Sequence, residues 1–560
     1  MADSDSELIA LAEAWIDADP DPATAAELRE LVAASRLDEL RLRFGGRLAF
    51  GTAGVRGPMR GGPMGMNRLV VRQTAAGIAR HLNATLPRPA VVVVAYDARH
   101  NSATFAADCA EVLSAHGISV VRGREPLPTP VGVFALRHLH ADAGIVITAS
   151  HNPAADNGIK LYMGDGAQII PPVDGQIAAA IDAVVADGVV TPDLGTAGEV
   201  ADLGREVIDA YLATTVHRVP ACSSHVRVAT TAMHGVGGRL LRRALADAGF
   251  EDVVFVAEQD APDPDFPTVA FPNPEEPGAT DLLARRMTAV GADLGLALDP
   301  DADRIAVLVK GRDGIPVQLT GDDVGCLLAD WLLASVVHGH DERLVVNSVV
   351  SSTLLAAIAD ARDARHAETL TGFKWLSRPA MEHPEWTQVL AYEEALGYAI
   401  GAEVRDKDGI SAGLAVASMA SAAHLRDRTL LEDLDDLHRR HGVHLVSNFS
   451  IRDESPGAAE RRATIVARLS ETPPERIGGV AVTGVAMLAH DVVRVTLEDT
   501  LRVVIRPSGT EPKLKCYCEA VEPVPEHDVR EARDRAAARI AAIRPALVEL
   551  VARPEAPSHV

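Results

Sequence analysis

The chain has 560 residues, 47% hydrophobic and 24% charged, an ordinary globular composition that excludes a disordered or fibrous protein. Its 54 Lys and Arg face 78 Asp and Glu, a net charge of −24, and such a surface repels a phosphate backbone. Aromatic residues are only 4%, too few for a base-stacking platform, so nucleic acid is excluded as a partner.

At roughly 150 residues per domain the length implies about four domains, or two large ones. Residues 1–45 form a helical extension, because LIALAEAWI and TAAELRELVAAS carry apolar residues at three- and four-residue spacing. A repeated pattern follows, in which a Val/Ile-rich run leads through a polar loop to an alanine-rich helix. It occurs in AVVVVAYD (90–97), AGIVITAS (143–150), VRVATTAMHG (226–235), LGLALDPDADRIAVLV (294–309) and RLVVNSVV (343–350). Strands alternating with helices, apolar on both faces, predict α/β sheets that are largely parallel. Domain 1 is assigned to 46–205, domain 2 to 206–320 and domain 3 to 321–445. Residues 446–560 differ, with strands joined by short turns and then one long helix, and form a fourth α+β domain. The Pro-rich stretch 261–278 interrupts one βα unit, so it is an ordered loop and not a linker.

The start, MADSDSELIA, is acidic and lacks a basic segment followed by an apolar run. No apolar stretch reaches the ~18–20 residues that span a bilayer. A cytoplasmic protein without a membrane partner is expected. The cysteines at 109, 222, 326, 516 and 518 show no metal-binding spacing and are expected to be reduced core thiols. Only six of the basic residues are lysines: Lys160, Lys310, Lys374, Lys407, Lys513 and Lys515. Where lysine persists in an arginine-rich chain, a compact ammonium is the feature arginine cannot replace.

Four loops carry the chemistry. Thr148-Ala149-Ser150-His151-Asn152-Pro153, running on to Asn157-Gly158-Ile159-Lys160, follows a buried-type strand, where α/β proteins place ligands. Asn-Pro and Asn-Gly turn the chain and leave Ser150 exposed at the tip, a nucleophile if a base or metal assists it. A plain polar turn is the competing reading. Asp299-Pro300-Asp301-Ala302-Asp303-Arg304 sets three carboxylates at alternate positions, which calls for a hard divalent cation, with a solvated acidic turn as the competing reading. An EF-hand is excluded, since Arg304 and Lys310 stand where it needs Gly and Glu. Tyr392-Glu393-Glu394-Ala395, with Lys407-Asp408-Gly409 downstream, suits hydroxyl recognition, although read alone it is better taken as a charged surface loop. Arg506-Pro507-Ser508-Gly509-Thr510-Glu511-Pro512-Lys513 suits a phosphate cradle. No Walker A loop and no G-x-G-x-x-G occurs, so ATP and dinucleotides have no support.

These motifs, in this order, resemble the α-D-phosphohexomutase superfamily from about residue 48 to 520. Phe50-Gly51-Thr52-Ala53-Gly54-Val55-Arg56-Gly57, Thr371-Gly372-Phe373-Lys374-Trp375 and Glu393-Glu394-Ala395 resemble the longer phosphoglucomutase/phosphopentomutase branch. The resemblance implies three related α/β domains with mixed, largely parallel sheets, a C-terminal α+β domain with an antiparallel sheet, and a central cleft. It implies one Mg²⁺ per chain, held by Asp299, Asp301, Asp303 and the phosphorylated Ser150, and a sugar 1,6-bisphosphate as activator. Arg56 and Arg304 would flank the transferring group. Lys160 and His151 are the candidate proton carriers, Lys160 preferred because a desolvated ammonium has a lowered pKa. Glu393 would read sugar hydroxyls, and Gly372, Phe373 and Lys374 would frame the anomeric end. Arg506, Ser508, Gly509, Thr510 and Lys513 would hold the second phosphate. His234 and Arg99 rank as accessory. Ala395 departs from the common Glu-x-Ser pattern and removes one hydroxyl. The expected substrate is a small phosphosugar, glucose 1-phosphate first, with mannose and ribose 1-phosphates behind it. The other class is a non-catalytic sugar-phosphate binder, and monomer and homodimer both stay open.

Overall fold

The computed structural model describes residues 4–192, 195–220, 225–335, 342–452, 458–507, 513–525 and 528–552. Two compact units divide the chain, Met1–Leu319 with Ala395–Ala422, and Thr320–Glu394 with Ala423–Val560.

The first unit opens with helices Asp5–Ala18, Pro22–Ala33 and Leu37–Phe44. Ser4 and Glu7 form a capping box on the first, and Asp21 caps the second just before Pro22. Leu8, Ala12 and Ile16 share one face and close with Ala25, Leu28 and Leu40 into a small core of their own.

The first sheet contains β1 (Val55–Pro58), β2 (Val91–Tyr96), β3 (Ser119–Arg122), β4 (Ala143–Ile147), β5 (Asp156–Met163) and β6 (Val200–Asp202), ordered β1-β5-β4-β2-β3-β6. Parallel pairing joins β4, β2, β3 and β6. β5 returns antiparallel to β4, and β1 pairs antiparallel with β5. Every residue of β4 is buried, which is why its sequence is an unbroken apolar run.

The second sheet contains β7 (Val228–Thr231), β8 (Val253–Phe255), β9 (Leu294–Leu298), β10 (Ile305–Lys310) and β11 (Pro316–Gln318), ordered β11-β10-β9-β7-β8. β7 runs parallel to β8 and β9, while β9, β10 and β11 pair antiparallel. The parallel bias expected from the sequence is absent here because 294–309 is a hairpin. Ile305 pairs with Leu298, so Asp299–Arg304 is the hairpin's loop. The Pro-rich stretch between β8 and β9 is ordered, and the Asp263 N–H donates to the His234 carbonyl at 3.0 Å.

In the second unit β12 (Arg343–Ser348) pairs in parallel with β13 (Arg365–Thr369) and β14 (Thr387–Glu393). The chain then re-enters the first unit with β15 (Gly397–Ile400) and helix Gly409–His424. It returns to the second unit for a six-stranded sheet of β16 (Val443–Arg452), β17 (Arg476–Ile477), β18 (Val480–Ala489), β19 (Val492–Leu497), β20 (Leu501–Pro507) and β21 (Lys513–Glu522). The order is β16-β21-β20-β19-β18-β17, with every pair antiparallel. Helices Ala458–Glu471 and Val529–Ala552 supply core residues against it, among them Val466, Leu469, Ala536 and Ile543. Cys109, Cys326, Cys516 and Cys518 are free and buried.

Asp322 lies in the first turn of helix Gly321–Ala334 and accepts hydrogen bonds from the Ser352 N–H (2.7 Å) and Tyr392 Oη (3.0 Å). Burial, with Glu394 and Glu519 nearby, pushes its carboxyl up to about 8. The unfolded chain releases this proton near pH 4. Between those values the folded form binds the extra proton, so stability falls as pH rises, until the contribution is lost above about pH 8. Denaturation of wild type and Asp322→Asn at about pH 5.5 and about pH 8.5 reads this linkage. The midpoint should drop more in wild type, and equal drops would show that Asp322 ionises normally.

Candidate active site

The serine loop begins where β4 ends. Ser150 adopts φ +53°, a left-handed conformation rare outside glycine, and its N–H donates to Thr148 Oγ1 at 2.8 Å. Ser150 is 2% exposed, so the exposed tip expected from the turn residues is corrected. The loop is drawn inward because Arg99 donates to the carbonyls of Ser150 and Asn152, both at 2.6 Å. Ser150 Oγ donates to Asp299 Oδ2 at 3.1 Å and lies 3.2 Å from His151 Nδ1. Burial, then the Arg304 and Arg56 charges, hold the His151 imidazole well below its ordinary range, so it is neutral.

Asp299, Asp301 and Asp303 are fully buried, and one carboxylate oxygen from each lies within 4.8 Å of the others. Lys160 comes from β5 and bridges Asp301 Oδ2 (2.7 Å) and Asp303 Oδ2 (2.6 Å). Lys407 reaches the same Asp303 oxygen at 3.2 Å and Asp406 Oδ1 at 3.1 Å. Tyr162 Oη (2.6 Å) and Gln168 Nε2 (3.0 Å) both donate to Asp406 Oδ2. Burial acts to lower the Lys160 pKa, but Asp301 and Asp303 more than offset it, so the ammonium lies above its ordinary range. The lowered pKa expected for a desolvated lysine is therefore corrected.

Three cations face the three buried carboxylates: Lys160, Lys407 and Arg304, whose Nε lies 3.9 Å from Asp303 Oδ1. Asp301 and Asp303 stay below the usual carboxylate range despite burial, because the lysine charge beside them outweighs it. Asp299 is pushed well above that range, by burial first and then by Asp303 and Asp301. Asp301 Oδ1 and Asp303 Oδ1 are buried without a hydrogen-bond partner among the described residues. An all-oxygen donor set with buried oxygens that accept no hydrogen bond fits a hard divalent cation.

Several elements fix this loop. Ala302 sits at φ +57°. The Arg304 N–H donates to Asp299 Oδ1 at 2.9 Å. Thr129 donates twice to Asp301, from Oγ1 to Oδ2 at 2.6 Å and from its N–H to the carbonyl at 2.9 Å. The Val236 N–H donates to the Pro300 carbonyl at 2.9 Å. Any side chain on Gly235 would overlap Pro300, and a Cβ on Gly237 would come within 2.5 Å of Ala302 Cβ. The Gly409 N–H donates to the Ala302 carbonyl at 3.1 Å. Thr129, Asp406, Gly235 and Gly237 are missed by motif reading. Their faint signals are the Pro128-Thr129-Pro130 start of a helix and the paired glycines of MHGVG.

Ser150, His151, Lys160, Arg56, Arg304 and the three aspartates all belong to the first unit. Arg56 lies on β1 opposite Gly158, and its Nε is buried without a hydrogen-bond partner among the described residues. The Arg304 guanidinium donates through Nη1 to the Ala395 carbonyl (2.9 Å) and Glu275 Oε2 (3.3 Å). His234 Nε2 lies 2.9 Å from Thr268 Oγ1.

The other predicted residues belong to the second unit. Glu393 is buried at the end of β14. The Glu394 carboxylate accepts from the Ser348 and Ser351 hydroxyls at 3.2 and 3.4 Å. Gly372, at φ +108°, precedes the short helix Phe373–Leu376 that carries Phe373 and Lys374. Arg506, near the end of β20, packs its guanidinium 5.8 Å from the Tyr517 ring centroid. Lys513 opens β21. Ser508, Gly509 and Thr510 lie outside the described residues.

Comparison with known proteins agrees with this architecture. The phosphoglucomutase/phosphomannomutase alpha/beta/alpha domains I, II and III match residues 47–186, 209–313 and 320–439, and the C-terminal domain matches 465–536. A probable phosphomannomutase of Haemophilus influenzae is 39% identical over 470 residues, covering 82% of this chain and 93% of that protein. A probable phosphoribomutase of Schizosaccharomyces pombe is 35% identical over 549 residues, covering 90% and 92%. Among solved structures, the open form of pp63/parafusin, a phosphoglucomutase from Paramecium, shares the fold with a TM-score of 0.67 at 20% identity, covering 92% of this chain and 97% of that one. Among the described residues no helix is long and apolar enough to cross a membrane. The chain therefore belongs to the phosphoglucomutase/phosphomannomutase family and is an intramolecular phosphotransferase that isomerises sugar phosphates.

Proposed function

We propose that the protein interconverts aldose 1-phosphates with the sugar phosphorylated at its terminal carbon, through phospho-Ser150 and a bisphosphorylated sugar. The observation that carries this reading is the Ser150 hydroxyl, 3.1 Å from Asp299 at the edge of a buried carboxylate cluster that also binds Lys160. Binding alone requires neither a nucleophile nor such a cluster, which argues against a silent sugar-phosphate binder.

Asp299, Asp301 and Asp303 would hold Mg²⁺, which when bound neutralises charge on a transferring phosphoryl group. The protein's own residues do the rest. Phospho-Ser150 donates its phosphoryl group to the free sugar hydroxyl, breaking the bond from Oγ to phosphorus and forming one from phosphorus to the sugar oxygen. The hydroxyl proton ends on Ser150 Oγ, which the transfer leaves as a free hydroxyl. His151 Nδ1, neutral and 3.2 Å from Oγ, is the proton acceptor on the serine side when Ser150 takes a phosphoryl group back. Lys160 holds a proton at Nζ on Asp301 and Asp303 and in that return step protonates the departing sugar oxygen as an acid. Arg56, buried with an unpartnered Nε, suits a phosphoryl oxygen. Arg304 backs the loop through Ala395 and Glu275. In the second unit Glu393 would read sugar hydroxyls, Gly372, Phe373 and Lys374 the anomeric end, and Arg506 and Lys513 the distal phosphate.

Glucose 1-phosphate is the first substrate, activated by glucose 1,6-bisphosphate. A pentose reading is favoured by one observation: the Schizosaccharomyces pombe relative, matched over about 90% of both chains, is named a probable phosphoribomutase.

The deciding experiment is a panel of glucose, mannose, glucosamine and ribose 1-phosphates ranked by kcat/KM, run with Mg²⁺ and bisphosphate on wild type and Ser150→Ala. Wild type should turn over at least one sugar and Ser150→Ala none. Equal rates would remove Ser150 from the mechanism, and absent turnover with tight binding would favour the binder. Lys160→Arg keeps the charge but enlarges the head group and should lower kcat on the order of 10²-fold or more. Near-normal turnover would reject Lys160 as the proton carrier. Thr129→Val removes one hydrogen bond to Asp301 and should weaken divalent-cation binding by roughly tenfold, measured with Mn²⁺ by calorimetry. Unchanged affinity would show that Thr129 does not orient a ligand.

A further inference from the structure

Arg99 lies on the loop after β2 and is 4% exposed. Its Nη2 donates to the carbonyls of Ser150 and Asn152, both at 2.6 Å. Its Nη1 donates to the carbonyls of Pro153 (2.8 Å) and Asp156 (3.2 Å). Four carbonyls from one seven-residue loop thus converge on a single guanidinium. The third face of the fork is closed by Asp97, whose Oδ2 lies 3.4 Å from Nε. Phe266 covers the guanidinium, its ring centroid 5.1 Å from Cζ.

The partners of Arg99 are themselves fixed. Asp97 Oδ1 accepts from the Arg99 N–H (3.0 Å) and from Ser102 Oγ (2.6 Å). Asn157 Nδ2 ties the far end of the serine loop to the His100 carbonyl (2.8 Å) and to Ser102 Oγ (3.0 Å). The 97–102 turn is thus a rigid base on which the 148–157 loop is mounted.

A loop of this composition has little reason of its own to hold Ser150 at φ +53°. Such conformations persist where their surroundings over-determine them, and the bond from Nη2 to the Ser150 carbonyl supplies that constraint. In a trans peptide the C=O and the following N–H point in opposite directions. Fixing the Ser150 carbonyl on Arg99 therefore turns the His151 N–H away from the guanidinium. A lysine could not replace Arg99, because one ammonium has three donors and no planar fork to reach four acceptors.

We propose that Arg99 is a positioning residue for phosphoryl transfer: by binding the carbonyls of Ser150, Asn152, Pro153 and Asp156 it locks the serine loop in the one conformation that aims Oγ at Asp299. Arg99 does not touch the reacting atoms. It acts through the backbone, and its effect falls on the chemical step more than on sugar binding. The inference rests on the reading of Ser150 as the phosphoryl carrier.

The test compares wild type, Arg99→Lys and Arg99→Ala, full length and with Mg²⁺. Four quantities are read: folded fraction by circular dichroism, kcat and KM for glucose 1-phosphate, and the rate at which Ser150 gains a phosphoryl group from glucose 1,6-bisphosphate, by intact mass. Arg99→Lys should fold, lose roughly 10²-fold in kcat, keep KM within about twofold, and phosphorylate Ser150 more slowly by the same factor as kcat. Methylguanidinium should restore part of the kcat of Arg99→Ala. A folded Arg99→Lys with wild-type kcat overturns the proposal, as does a raised KM with kcat preserved. So does a loss that only follows the folded fraction and is not rescued by methylguanidinium. If Arg99→Ala fails to fold, the kcat-against-KM split in Arg99→Lys decides. Wild type that never gains mass at Ser150 sinks the phosphoserine reading and this proposal with it. Labelled wild type with indifferent variants sinks only the role of Arg99.

Discussion

Three carboxylates buried within 4.8 Å of one another are the constraint to which much of the first unit answers. Isolated, such a group would protonate or swell apart, since burying unpaired charge is costly. The protein meets it with two ammonium groups converging on one oxygen of Asp303, a threonine donating to Asp301, and a backbone N–H on Asp299. Each of these comes from a different element: β5, the loop after β15, the helix after β3 and the turn into β10. The charge balance is thus a restraint that holds separate parts of the unit in register.

Much of the site is legible in the sequence because its chemistry is local. Three aspartates at alternate positions after an apolar run indicate a cation without any knowledge of partners. Asn152-Pro153 and Asn157-Gly158 indicate a turn around Ser150. The burial of Ser150 is not legible, because it depends on Arg99, 51 residues earlier in the chain, and four backbone carbonyls carry no sequence signal. The sign of the Lys160 shift is hidden for a similar reason. A lone desolvated lysine shifts downward, and only the tertiary approach of Asp301 and Asp303 reverses it. Among the folds, the antiparallel return of β10 is concealed because both arms of the hairpin, LGLAL and RIAVLV, are apolar enough to pass for parallel strands.

The scarcity of lysine gains a physical meaning. Lys160 and Lys407 stand side by side on the same carboxylate oxygen, at 2.6 and 3.2 Å, a spacing that suits compact head groups better than two planar forks. Arginine serves where reach and multiple donors matter. Arg99 binds four carbonyls, and Arg68 and Arg72 share the buried Asp108. The net charge of −24 therefore coexists with cations concentrated at the serine and metal loops.

The return of residues 395–422 to the first unit has a consequence for biosynthesis. The amino-terminal 319 residues contain the serine, the three aspartates and Lys160, yet they lack Lys407 and the glycine that braces Ala302. While the chain is being made, the carboxylate cluster stays short of one cation and one backbone support until the ribosome has delivered residue 409. All of β12 to β14 must emerge in the meantime. The first unit is thus late to finish although it is first to appear.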